Sequence, residues 1–394
     1  MALKFALRIK LSHENLSHLM RLINCICGSE VLPQTGYSID KLCNSKDNVV
    51  LYSVCPFCST DIGKFLDLRK LVTCKSCNKI VDVSNPSNAC YFAIIDPSEK
   101  IRDLIEPNEE YFDYIMNVRK HDKNHLRDIY DGLLYRQFVK SLPASDRHSY
   151  VTATINSDGA PVFESSNFSI WLLLYLMINE LPVQTRFKNM CVMGLWFGVS
   201  KPEMSVFLEK FIESINRITT DGIECTVKDK PLTIKLFVLT ACVDTVACAP
   251  MNGTSQFNAH FGCDWCEHEG VYYDGSMRYP YIIPPPPNRT RSSMIANARE
   301  ALTRPKPVVG VKMASPLLNL QYFDIARGFT PEYMHCVLAG VTQQLTENIV
   351  NLLTPNQIDI MDSLLCEIKA PNQVCRLTRP LKDRGNWKAR EWEN

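Results

Sequence analysis

Ser149-Tyr-Val-Thr-Ala-Thr-Ile-Asn156 is the stretch that decides the fold. Its β-branched and aromatic residues alternate, as on a pleated surface buried on one side. Ser157-Asp158-Gly159 follows and reads as a turn. Ile170 to Ile178 is apolar on both faces, which suits a second strand covered from both sides. Asn189-Met-Cys-Val-Met-Gly-Leu-Trp-Phe197 is a third strand. Pro202 suits a helix start, and Met204, Phe207, Leu208, Phe211, Ile212 and Ile215 recur at helical spacing behind it. Thr233 to Ala241 is a fourth strand, and its end delivers Asp244. Three strands, a helix and a fourth strand predict a mixed α/β core. One acid belongs to the first strand and the other follows the fourth.

Outward from this core the character of the chain changes. Residues 1–100 are cysteine-rich and read as a zinc-ribbon region. Residues 101–147 read as a helical linker, because Tyr111, Ile115, Val118, Leu126, Ile129, Leu133 and Leu134 recur at roughly helical spacing. The core proper is placed at 148–260. Residues 261–394 hold a second cysteine pair, a proline-rich basic loop from Ile283 to Ser293, and helical patterning at Met334–Leu353 and Gln357–Ile368.

Bulk properties exclude several classes. The 394 residues are 46% hydrophobic and 22% charged, an ordinary globular composition. Lys plus Arg total 43 against 42 for Asp plus Glu, so there is no global attraction for nucleic acid and any such surface must be local. Arg376, Arg379, Lys382, Arg384, Lys388 and Arg390 form the one basic segment of note. The first twenty residues mix Lys4, Arg8, Lys10 and Glu14 into apolar positions and lack the core of a secretory signal. The most apolar run, Ile170–Ile178, falls far short of the ~20 residues a membrane span needs. Seventeen cysteines without a secretory signal point to a reducing compartment, where paired cysteines more often bind metal than form disulfides.

Four motifs carry chemistry. Cys55-Pro-Phe-Cys58 and Cys74-Lys-Ser-Cys77 are two knuckles separated by fifteen residues, a spacing that suits a tetrahedral four-thiolate zinc site. Asp158 taken alone is an ordinary turn acid. Asp244 is flanked by apolar residues, where a carboxylate needs a partner, and a metal ion would be one. Two such acids on neighbouring strands can share a pair of divalent ions. Cys263-Asp-Trp-Cys266 offers half of a second zinc site, against the alternatives of a packing or redox role. Pro331-Glu-Tyr-Met-His335 reads as a helix start, with Glu332 at the positive end of the dipole and His335 partly buried.

Several phrases resemble one family. Val162-Phe-Glu-Ser-Ser-Asn-Phe-Ser-Ile-Trp171, Ile178-Asn-Glu-Leu-Pro182, Arg186-Phe-Lys-Asn-Met190, Gly194-Leu-Trp-Phe-Gly198, Gly262-Cys-Asp-Trp-Cys266 and Tyr333-Met-His-Cys336 resemble the transposases of CACTA (En/Spm-type) DNA transposons. The same order of motifs is similar to the Transib and V(D)J-recombinase lineage. The resemblance implies an RNase H-like mixed sheet with flanking helices and an interrupting insertion, preceded by the zinc ribbon. It implies a DDE-type transposase with Asp158 as first and Asp244 as second catalytic acid, holding Mg²⁺ or Mn²⁺. Cys263 and Cys266 would supply the cysteine half of a zinc site in the insertion. DNA, as transposon ends and target, would be the partner, with no membrane, and a homo-oligomer is compatible with this. The location would be nuclear.

The chain also departs from the pattern. The family completes its zinc site with a His-x-x-x-His pair and its metal site with a glutamate, both well beyond the Met-His-Cys phrase. No His-x-x-x-His follows Cys266 here. The expectation is therefore a transposase whose third acid is absent from these residues. The alternative is a non-enzymatic domesticated fragment that binds DNA or protein through the ribbon and the basic segment.

Overall fold

The computed structural model describes residues 11–35, 38, 48–68, 70–84, 91–122, 124–161, 169–198, 201–369 and 379–393. The Val162–Phe168 part of the quoted phrase and Arg376 lie outside them. Contacts divide the chain into two units, Met1–Val50 and Leu51–Asn394. The first unit carries helix α1 (His13–Cys27), capped by the Ser12 side chain at one end and by left-handed Gly28 at the other. Its small core joins Leu16 and Met20 to Leu11 and Leu32.

The second unit is mixed α/β, a large mixed sheet with flanking helices. Its strands are β1 (Val49–Val54, which begins just before the division), β2 (Asp61–Lys64), β5 (Tyr91–Ile95), β6 (Tyr150–Pro161), β7 (Ser169–Ile178), β8 (Cys191–Gly198), β9 (Ile223–Val227), β10 (Lys230–Val243) and β13 (Phe329–Pro331). The order across the sheet is β13-β10-β6-β7-β8-β5-β1-β2, with β9 paired to β10. β6, β7 and β8 form an antiparallel meander, whereas β10 runs parallel to β6 and β13 parallel to β10. Two small hairpins stand apart, β3 (Leu71–Thr73) with β4 (Ile80–Asp82) and β11 (Val271–Tyr273) with β12 (Ser276–Arg278).

Helices α2 (Ser98–Ile105), α3 (Glu109–Asp113) and α4 (Leu133–Ser141) precede the meander. The region expected to be one or two helices is thus broken into shorter ones. The break after Val118 is organised by buried Asp131, which accepts from Arg119, from the Arg127 backbone N–H at 3.0 Å and from His121 at 3.1 Å. Short helix α5 (Val183–Lys188) joins β7 to β8. Helix α6 (Met204–Asp221) makes the crossover from β8 towards β10 and buries seven apolar side chains, Met204, Phe207, Leu208, Phe211, Ile212, Ile215 and Ile218. Burial at ~1.5–3 kcal/mol for each large side chain outweighs any intrinsic helix propensity. That core also takes in Val151, Ala153 and Ile155 of β6 and Ile234, Leu236 and Val238 of β10.

Three features differ from the sequence expectation. Ser157-Asp158-Gly159 is not a turn: these residues pair with Leu173, Leu172 and Trp171 of β7, past a one-residue bulge that skips Leu174. Cross-strand pairing overrides the local preference of Asp-Gly. Strand β9 was not anticipated. Its hairpin to β10 turns on Lys228 and Asp229, both left-handed at φ 51° and 60°, as a two-residue turn requires. The third, β13, is only three residues long and exists through its pairing with β10.

Candidate functional site

Register builds a cleft from the sheet outward. Side chains two apart on a strand share a face. Thr154, Asn156 and Asp158 therefore share one face of β6, and Thr240, Cys242 and Asp244 share a face at the end of β10. Thr154 pairs with Thr240 and with Met177, Asn156 with Tyr175, and Cys242 with Thr330. All nine of these residues line one cleft of about 1220 Å³, together with Glu332 and His335.

The two aspartates lie towards the same end of neighbouring parallel strands. Ile155 pairs with Ala241, and Asp158 and Asp244 each lie three residues further on. Val243 pairs with Pro331, which puts Glu332 beside Asp244 in the same row. Asp158 is on β6, while Asp244 and Glu332 directly follow β10 and β13, and all three acids line the cleft.

Each of these carboxylates already accepts backbone hydrogen bonds. Asp158 Oδ1 accepts from Gly159 N–H at 2.7 Å. Asp244 caps helix α7 (Thr245–Asn252), accepting Ala247 N–H at 2.6 Å. Glu332 caps the wide π-helical stretch Tyr333–Thr342 that leads into α8 (Gln343–Val350). It accepts Met334 N–H at 2.8 Å, His335 N–H at 2.6 Å and the His335 ring at 2.7 Å. Burial would raise its carboxyl, but these donors together hold it below its ordinary value. The expected helix start at Glu332 is thus present, while His335 is exposed rather than partly buried. Among the described residues the acids do not form a group of three ligands within 4.8 Å.

Substitution separates capping from any other role of Asp244. Asn caps as well as Asp, so Asp244→Asn should leave stability unchanged, whereas Asp244→Ala should cost ~1 kcal/mol in urea unfolding. Equal losses in the two variants would mean that the charge, not the cap, stabilises the fold.

A polar layer underlies the cleft. Thr154 and Thr240 hydroxyls meet at 2.8 Å, and Asn156 Nδ2 donates to the Cys242 carbonyl at 2.5 Å. Fully buried Asn179 holds both Thr152 and Thr154. Neighbouring Glu180, also fully buried, accepts from Thr152 N–H (2.6 Å), Thr152 Oγ1 (2.7 Å) and Tyr135 OH (2.9 Å). Burial pushes its carboxyl up to about 7 despite these donors. Arg186 closes the layer, donating to the Asn179 and Leu181 carbonyls and pairing bidentately with Asp128 at 2.9 Å. Asn179, Glu180 and Arg186, from the Ile178–Pro182 and Arg186–Met190 phrases singled out in the sequence, are therefore scaffolding under the acid rim. Only an acid and an arginine set among apolar residues hinted at that.

The four ribbon cysteines converge. Sγ atoms of Cys55 and Cys77, and of Cys58 and Cys74, are 3.6 Å apart, and all four lie within 4.8 Å of one another. A tetrahedron with ~2.3 Å metal–sulfur bonds has S–S edges of ~3.8 Å, so the cluster could hold a metal ion such as zinc. The two knuckles are built alike. Ser59 N–H returns to the Cys55 carbonyl and Asn78 N–H to the Cys74 carbonyl, and Ser59 and Asn78 are both left-handed. A hydrogen bond from the Thr60 hydroxyl is the main cause that draws the Cys58 thiol down to about 6, towards the thiolate a metal needs, whereas burial pushes Cys55 up to about 12.

Cys263 and Cys266 lie with sulfurs 3.3 Å apart, but no third ligand joins them among the described residues. The imidazole of His268 is engaged by Pro280 O and Gly270 N–H, and His260 Nδ1 faces Glu269 O. Their loop is held instead by buried Arg289, which donates to the carbonyls of Phe261, Cys263 and Val309 at 2.8, 2.9 and 3.0 Å. Trp265 Nε1 ties it to β13 through the Phe329 carbonyl at 3.1 Å. The sequence reading passed over Arg289 as one charge in a basic loop.

No protein-family model matches this chain, and no curated protein matches it either. Among the described residues no helix is long and apolar enough to cross a membrane.

Proposed function

We propose that the chain carries an RNase H-like nuclease core of the DDE transposase type, with Asp158 and Asp244 as two ligands for Mg²⁺ or Mn²⁺. The observation that carries this reading is that Asp158, on β6, and Asp244, directly after the parallel neighbour β10, line one cleft. The strand order β8-β7-β6-β10-β13, a three-strand meander followed by two parallel strands, supports the RNase H-like assignment. The sequence phrases that resemble CACTA transposases support the same class, with DNA as substrate and the nucleus as its place of action.

Divalent ions held by these acids would supply activation of a water and stabilisation of the leaving 3′ oxygen. Asp158, on β6, and Asp244, just after β10, are the residues that would hold such ions. Two carboxylates make a weak site, so strand cleavage by these 394 residues alone is expected to be slight. The direct test is Mn²⁺ binding, followed by titration calorimetry or electron paramagnetic resonance. Asp158→Asn and Asp244→Asn should each weaken it at least about ten-fold. Unchanged Mn²⁺ binding in both variants sinks the reading.

A second reading is favoured by the caps. Asp244 and Glu332 each have a structural task at a helix start that needs no metal. On that view the chain is a non-enzymatic DNA-binding relative that uses the ribbon and the basic segment near its end. It predicts strongly salt-dependent DNA binding that the Asp158→Asn and Asp244→Asn substitutions leave intact.

A further inference from the structure

The cleft that holds Asp158 and Asp244 is larger than metal ions and one phosphate require. At about 1220 Å³ it exceeds the ~300–1,000 Å³ of most small-molecule sites. Away from the acid rim its wall is apolar and open. Leu126, Leu133, Phe187, Met190 and Tyr333 line it and are 84, 53, 60, 42 and 53% exposed. Scattered exposed apolar residues need no explanation, but a concave cluster of them marks a binding surface. Tyr175 and Tyr333 are also part of the lining, and neither has a hydrogen-bond partner among the described residues.

We propose that this wall receives an unstacked nucleobase from the DNA strand whose phosphodiester lies at the acid rim; the inference rests on the nuclease reading above. The occupant must satisfy two unlike regions at once. At the rim, Asp158, Asp244 and Glu332 accept a phosphate only with bound cations between, and Arg390 adds a positive charge to the lining. Beside them, the wall offers rings and aliphatic groups but no charged side chain that lacks a partner, since Asp128 is taken by Arg186. A phosphate joined to a flat apolar ring system matches that sequence of surfaces. A nucleotide swung out of its stack has this form, whereas a base kept within a duplex cannot reach the wall. The phenol hydroxyls would meet the polar edges of the base. Stacking on aromatic side chains contributes ~1–3 kcal/mol per base and tolerates any base. This offsets an unpairing cost of a few kcal/mol, a cost that is smallest where the strand is already single.

The test uses the full chain in Ca²⁺ with a short single-stranded oligodeoxynucleotide, intact or with one 5-iododeoxyuridine. Phe187→Ala and Tyr333→Ala remove exposed side chains, so both variants should fold. Each should weaken binding of the single strand roughly ten-fold and leave affinity for a fully paired duplex of the same sequence unchanged. Photo-crosslinks should map to Tyr175, Phe187 or Tyr333. Unchanged single-strand affinity in both variants, or crosslinks confined to other regions, overturns the proposal. The two readings fail separately. Loss of single-strand binding in the ring variants, alongside Mn²⁺ binding indifferent to Asp158→Asn and Asp244→Asn, keeps the wall and removes the nuclease. The opposite pattern keeps the nuclease and removes the wall.

Discussion

Removing metal from the Cys55, Cys58, Cys74 and Cys77 cluster should unfold the ribbon and lower stability by at least ~5 kcal/mol. The ribbon's own core is too small to fold it. Among its described residues, the ribbon's own core buries, apart from the cysteines, Val81 and Val83, with Ile62, Leu68 and Val72 partly covered, while Phe57, Leu71 and Ile80 remain exposed. So few apolar contacts cannot offset the entropy of ordering some thirty residues at about 1–2 kcal/mol each. Structural zinc in small domains contributes ~10–16 kcal/mol, and that binding energy is the folding energy. The figure is lower here because β1 and β2 also lean on the main sheet. Cys58→Ser and Cys74→Ser should act like chelation, each removing one of four ligands. Metal content by mass spectrometry and thermal unfolding with and without chelator provide the check. A purified protein free of zinc, or one whose unfolding ignores the chelator, would sink the prediction.

The second large effect is a pH dependence from Glu180. Burial lifts its carboxyl in the folded state from the ordinary 4.5 to about 7. The folded protein therefore holds this proton more tightly than the unfolded chain does. The resulting stability is fully present below about pH 4.5, declines as pH rises, and is lost once pH passes about 7. At ~1.4 kcal/mol per ten-fold change in proton affinity, the swing is about 3 kcal/mol. Gln at this position can still accept from Thr152 N–H and donate to the hydroxyls of Thr152 and Tyr135, which are free to rotate. Glu180→Gln should then gain stability relative to wild type as pH rises from about 4.5 to 8. Urea midpoints of both proteins across that range measure the difference. Parallel curves would assign the pH dependence to other groups.

What could be read in advance follows from how local each signal is. β6, β7, β8 and β10 were visible because alternation or two-sided burial is written into each stretch. Helix α6 was visible because Met204 to Ile215 keep helical spacing. The cysteine cluster was visible because the spacing of two knuckles already fixes four sulfurs near one point. What stayed hidden depends on partners far along the chain. Asp158 sits in a strand, not a turn, because Leu172 pairs with it. β13 exists because β10 presents a free edge to it. Glu180 and Arg289 are buried because distant backbone groups satisfy them, and those partners lie far from them in sequence. Cys263-Asp-Trp-Cys266 brings its two sulfurs together as the spacing suggests, with no third ligand among the described residues.

The position of the ribbon strands at the end of the sheet has a consequence beyond folding energy. With β1 and β2 in place, the hydrogen-bonding flank of β5 is covered by residues of the same molecule. Once the thiol cluster opens, that flank becomes an adhesive margin able to recruit the same segment from another copy. Scarcity of the ion would then register first as clumping, and a drop in whatever activity the cleft supports would come later.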